Sequence, residues 1–202
     1  MRLPALPALL AVLLIVIGVA VRVSQTGADP PLPERRSDKG STCGPDAGRP
    51  ASDLSRDRIR ELILCLHNEQ RAGHGLPALR YETRLQTAAQ GHAADMVERG
   101  FFAHETPEGV GPEQRALNAG YPTKQYSSGE NLAWGTGSEA SPVEVVDGWM
   151  HSRGHRENIL RYAFTHMGVG VVVGVPEEPG SALSGATYAV SFGGPPLPAG
   201  AP

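Results

Sequence analysis

Apolar residues recur at helical spacing in the first three quarters of the chain and at strand spacing in the last quarter. From about Asp57 to Arg71, Ile59, Leu62, Ile63 and Leu66 fall at i, i+3, i+4 and i+7, which predicts a helix with one buried stripe; Gly73 and Gly75 end it. A second helix is expected from Thr83, with Gln86 three residues on as a capping box, to Gly100, carrying Leu85, Ala88, Ala89, His92, Ala93 and Met96 on one side. The small members of that stripe suit close packing. Pro112 to Ala119 predicts a short third helix, stopped by Gly120. Ser141, Pro142 and Glu144 supply an N-cap, a first-turn proline and a capping-box acid for a fourth, which carries Val143, Val146, Trp149 and Met150. Valine-rich His166 to Val175, the alternating Thr187 to Phe192 and the short Glu130 to Trp134 read as strands. Helices lead and strands close the chain, which favours an antiparallel α+β layer structure over an alternating β/α fold.

The flanks do not share this periodicity. Residues 1–25 hold Arg2 and a nearly unbroken apolar run from Leu3 to Val21, an export segment at the boundary between a cleaved signal peptide and a lasting anchor. Small residues at Gly18 to Ala20 and Thr26 to Ala28 suit cleavage, whereas the single Arg2 ahead of the run suits an anchor with its C-terminal side outside. Both outcomes stay open, and the destination is extracytoplasmic either way. Residues 26–50 are rich in Pro, Gly, Ser, Asp and Arg and read as a flexible linker; 51–194 form one domain, and 195–202 read as a disordered tail. With 202 residues, the chain has length for one sizeable core.

Charge narrows the partners. The net charge is −3, and from Ala51 onward 12 basic residues face 17 acidic ones, the wrong sign for a nucleic-acid surface. Only Lys39 and Lys124 are lysines, so no polybasic run exists to hold lipid headgroups, and membrane contact is expected only through the N-terminal segment. Cys43 and Cys65 both follow that segment, where an oxidising compartment permits a disulfide; a buried free Cys65 on a helix face is the alternative.

Three segments concentrate Gly, His, Asn and aromatic residues: Phe101-Phe102-Ala103-His104-Glu105-Thr106-Pro107, Gly129-Glu130-Asn131-Leu132-Ala133-Trp134-Gly135, and Trp149 through Leu160 with Gly154-His155 at its centre. Together with Asn68 and Arg71 in the first helix, Gly168-Val169-Gly170 opening a strand and a last strand ending at Phe192-Gly193, they stand in the order found in the CAP superfamily of cysteine-rich secretory, antigen 5 and pathogenesis-related 1 proteins. The chain resembles the compact bacterial branch of that family from about Ile59 to Gly193. The resemblance implies an αβα sandwich, four helices on a small antiparallel sheet, with a cleft lined by two histidines and two acids. His104, Glu130 and His155 match three of these positions. At the second acid's usual place, three residues after Trp149, this chain has Ser152; Glu144, Asp147 and Glu157 are the nearby acids, and spacing favours none of them. Family members are implicated in sterol, fatty-acid and metal binding.

Two imidazoles and a carboxylate are enough to hold a divalent metal such as zinc with an open position. Histidines in Gly-bounded loops also serve simply to order the loop through backbone hydrogen bonds. The His151-x-x-x-His155 pair lacks the intervening Glu of a zincin helix and contains Gly154. No Gly-x-Ser-x-Gly elbow surrounds Ser152, and Cys65 has no electropositive setting for a catalytic thiolate. His67, His74, His92 and His166 read as surface or packing residues, and Trp134 and Trp149 as core anchors. The expectation is a binding module for a divalent metal or a small apolar ligand, ahead of a metal-dependent hydrolase using His104, Glu130 and His155 and of a purely structural envelope protein; the expected partner is a small apolar ligand or an envelope component.

Overall fold

In the computed structural model residues 41–122, 127–176 and 185–195 are described. The export segment 1–25, linker residues 26–40 and tail residues 196–202 lie outside the described residues. Five α-helices and a four-stranded sheet follow in the order α1 (Arg56–Gly73), β1 (Arg80–Tyr81), α2 (Thr83–Arg99), α3 (Pro112–Asn118), β2 (Ser127–Thr136), α4 (Pro142–Met150), α5 (Arg153–Ile159), β3 (His166–Val173) and β4 (Gly185–Gly194). The sheet order is β1-β3-β4-β2. Pairings β3/β4 and β2/β4 are antiparallel, but the two-residue β1 runs parallel to β3, so the sheet is mixed at one edge.

The sheet separates two unlike layers. Val169 and Val171 of β3 and Tyr188, Val190 and Phe192 of β4 point into the main core with Ile59, Leu62, Ile63 and Leu66 of α1 and Val145, Val146, Trp149 and Met150 of α4. The other face carries almost no side chains at its centre: a Cβ on Gly168 or Gly170 would meet the α2 backbone, at Leu85–Gln86 and Ala89–Gln90 respectively. Ala89 and Ala93 of α2 press against Ala189 and Leu132 there. The small-residue stripe of α2 therefore brings a helix backbone close to a strand backbone, and Gly100 in the left-handed region (φ 68°) ends the helix. The result is an αβα sandwich.

Details depart from expectation where local chemistry had to choose. Thr83 is the first residue of α2 rather than its cap; Glu82 caps it, accepting from the Arg84 amide. Ser141 precedes α4 but makes no side-chain capping bond. A fifth helix follows α4 after a break at His151–Ser152, with Gly154 inside it rather than at the break, so His151, the C-cap of α4, and His155 of α5 do not share one continuous helix. Trp134 is 36% exposed, unlike the core anchor expected, whereas Trp149 is buried and donates from Nε1 to the Leu132 carbonyl.

Residues 41–50, assigned to the linker by composition, are held to α1. Cys43 and Cys65 form a disulfide; Ser41 Oγ and the Thr42 amide donate to the Glu69 carboxylate, and Ala47 is buried in the main core. The covalent loop spans 22 residues, and replacing both cysteines by alanine is expected to lower unfolding free energy by about 3 kcal/mol. Urea denaturation reads this as a lower midpoint; an unchanged midpoint would mean that the tether adds no stability.

Candidate functional site

The middle of β2 and the segment after α2 meet at one pair of side chains. Glu130 is buried and accepts from two sides: His104 Nδ1 lies 2.9 Å from its Oε1, and Arg115 Nη2 of α3 donates to its Oε2 at 2.7 Å. Arg115 also donates from Nη1 to the carbonyls of His104 and Val110, at 2.9 and 2.7 Å, tying the 101–111 segment to α3. At the residue before His104, the Ala103 carbonyl accepts from Nε2 of the buried His92 of α2 at 2.9 Å. A buried carboxylate, an arginine and a core histidine thus fix the backbone on which His104 stands, while the His104 side chain remains 55% exposed.

His155 reaches the same region from the opposite layer. The Asn131 side chain donates to the His155 carbonyl at 3.1 Å, and Asn158 donates to Asn131 Oδ1 and to the Glu130 carbonyl, at 2.9 and 3.1 Å. These amides couple β2 to α5. Gly129 is required beside them because a Cβ there would sit 2.8 Å from the Phe164 ring and 3.0 Å from Asn158 Oδ1. The Gly-Glu-Asn segment thus has three separate uses: close approach, a buried acid and a bracket to the next layer.

The two imidazoles are pushed in opposite directions. The hydrogen bond to Glu130 raises the pKa of His104; partial burial lowers that of His155, and the positive charge of His104 lowers it further. Glu130 is committed to His104 and Arg115 and stands behind His104 as an orienting acceptor. Among the described residues no three His, Cys, Asp or Glu side chains are grouped to hold a metal ion.

His155 also lines a cleft of about 300 Å³ between β2 and α4–α5, with Leu132, Ala133, Trp134, Glu139, Glu144, Val145, Gly148, Trp149 and Ser152. Of the three nearby acids, Glu144 faces this cleft, whereas Asp147 pairs with His151 and Glu157 with Arg153. A second hollow of about 340 Å³, lined by Asp57, Arg60, Glu61, Leu64 and Tyr81, contains none of the motif residues. Arg115 is the site residue that sequence reasoning missed: an arginine on a short polar helix has no apolar periodicity to mark it.

Residues 64–176 match the model of the cysteine-rich secretory protein family, CAP. Two Bacillus subtilis (strain 168) proteins are similar in sequence. The uncharacterized protein YkwD is 38% identical over 110 residues, 54% of this chain and 41% of that protein. The uncharacterized membrane protein YlbC is 37% identical over 109 residues, 54% of this chain and 30% of that protein. The match thus spans less than half of either relative. Among solved structures, an extracellular Bacillus anthracis protein containing an SCP domain superposes with a TM-score of 0.56 at 28% identity, over 69% of this chain and 43% of that one. A Borrelia burgdorferi outer surface protein gives 0.58 at 19% identity, over 71% and 97%, a likeness of fold alone. On the family match over more than half its length and on the fold, this chain belongs to the CAP, or cysteine-rich secretory protein, family.

Proposed function

We propose that the chain is an extracytoplasmic binding module that takes a divalent metal, zinc being the natural probe, on the imidazoles of His104 and His155. The observation that carries this reading is the His104–Glu130 pair: a buried carboxylate on Nδ1 leaves Nε2 as the outward nitrogen, the arrangement by which carboxylates orient ligating histidines. His155, disfavoured as a cation, adds a neutral imidazole. The donor set fits two imidazole ligands with Glu130 behind one of them, rather than three protein ligands. A bound ion would offer Lewis acidity and open coordination positions. The apolar run at residues 1–25 and the likeness to an extracellular Bacillus anthracis protein support the extracytoplasmic assignment. A small apolar ligand is the second reading, favoured by the hollow walled in part by Leu64 and Tyr81.

Zinc calorimetry on the wild type and on His104→Ala, His155→Ala and Glu130→Gln tests the metal reading. Either alanine variant is expected to abolish measurable binding, and Glu130→Gln to weaken it by about tenfold to a hundredfold. Ligating imidazoles must be neutral, so wild-type affinity should fall between pH 7.5 and 5.5. Unchanged affinity in both alanine variants would overturn the reading.

A further inference from the structure

The cleft that His155 lines also holds a second chemistry. Glu144, in the first turn of α4, lines it together with His155 of α5. Trp134 and a second acid, Glu139 from the 3-10 turn Gly137–Ala140, line the cleft with Glu144. Leu132, Val145 and Gly148 supply an apolar floor.

All three groups lack intramolecular partners among the described residues. Arginines pair with Asp46, Asp57, Glu61, Glu82, Asp95, Glu108, Glu130 and Glu157, but no hydrogen bond or ion pair engages the side chain of Glu139 or Glu144. Glu144 sits in the first turn of α4, where the helix dipole favours a carboxylate, and the Ser141 side chain makes no capping bond there. Among the described residues, arginines cover the rings of Phe101 and Phe164, and none covers Trp134. A partly exposed tryptophan and two unpaired carboxylates lining one cleft are complementary to a positive charge carried on carbon: an indole attracts it through its quadrupole, and carboxylates neutralise it. A hydrated metal ion would gain nothing from the apolar floor.

We propose that the cleft between the end of β2 and the start of α4 is a subsite for an organic ammonium ion, seated on Trp134 and held by Glu139 and Glu144. The ammonium group is the recognised feature, whether it belongs to a choline-type headgroup or to a lysine side chain. The subsite uses neither His104 nor His155 and stands if the metal reading fails.

Titrating the full chain with choline, with Nα-acetyl-lysine methylamide and with the neutral choline isostere 3,3-dimethylbutan-1-ol, at constant ionic strength, tests it through the backbone amide shifts of Ala133 and Gly148. At least one of the two ammonium compounds is expected to give saturable shifts, and which of them does so identifies the source. The neutral isostere, Trp134→Leu and the double variant Glu139→Gln/Glu144→Gln should each weaken binding on the order of tenfold or more. Both variants change exposed side chains and should retain the wild-type amide spectrum elsewhere and wild-type zinc affinity. Absence of saturable binding by both ammonium compounds would overturn the proposal. So would equal binding of the neutral isostere, unchanged ammonium binding in the double variant, or equal displacement of the same resonances by calcium chloride.

Discussion

Replacing Arg71 by methionine is expected to lower unfolding free energy by about 3–5 kcal/mol. The Arg71 side chain is fully buried in α1 and donates to four carbonyls: from Nε to Pro77 at 2.8 Å, from Nη1 to Ile159 and Arg161 at 2.8 and 3.0 Å, and from Nη2 to Phe164 at 3.1 Å. Two of these carbonyls, Ile159 and Arg161, lie at or just beyond the C-terminus of α5, where a helix leaves its acceptors unsatisfied and welcomes positive charge, and Phe164 follows in the connection to β3. Methionine fills similar space and satisfies none of them. Urea unfolding with a soluble variant measures the loss, and a change below about 1 kcal/mol would show that water can replace the guanidinium. Because α5 carries His155, the variant should also weaken zinc binding if the metal reading holds.

Gly170→Ala is expected to be of comparable size, about 3 kcal/mol or more, for a different reason. The added methyl would run into backbone atoms of Ala89 and Gln90, so α2 would have to move as a unit away from the sheet. No side-chain rotation relieves that collision. Gly91, on the same helix, provides the control: it is exposed, with nothing within 4 Å of an added Cβ, so Gly91→Ala should leave stability unchanged or raise it by about 0.5–1 kcal/mol through helix propensity. Thermal unfolding of the two variants side by side decides the matter. Similar midpoints would mean that the close approach of α2 and β3 is readily relaxed.

The parts of the fold legible in the sequence were those written as period. The stripes of α1 and α2, the proline starts of α3 and α4 and the valine run of β3 each predict an element within a few residues of where it lies. Two-residue β1 and seven-residue α5 carry too little pattern to be read, and both owe their place to tertiary partners: the Arg80 amide donates to the Thr165 carbonyl, and Arg71 holds the end of α5. Composition misled at 41–50, where a Pro/Gly-rich stretch looks like linker but is fixed by a disulfide and Glu69. At the site, the family resemblance supplied His104, Glu130 and His155; no single-sequence signal could show that Arg115 takes one oxygen of Glu130 or that Glu144, rather than Asp147 or Glu157, faces the cleft. These depend on which faces of separate elements meet, and spacing along the chain does not encode them.

The Cys43–Cys65 bridge also determines how the domain answers mechanical force. A pull on the residues ahead of Cys43 is delivered through the sulfurs to the middle of α1, at Cys65, without loading the chain in between. The turns Pro45–Gly48 and Ala51–Asp53 and the first half of α1 lie inside this covalent loop and cannot be peeled off from the N-terminal side. At that entry point α1 is packed on β3, α4 and α5, so the load meets the main core at once and spreads across several elements. With the bridge reduced, the same pull would first strip Ser41 and Thr42 from Glu69 and then unwind the turns one after another.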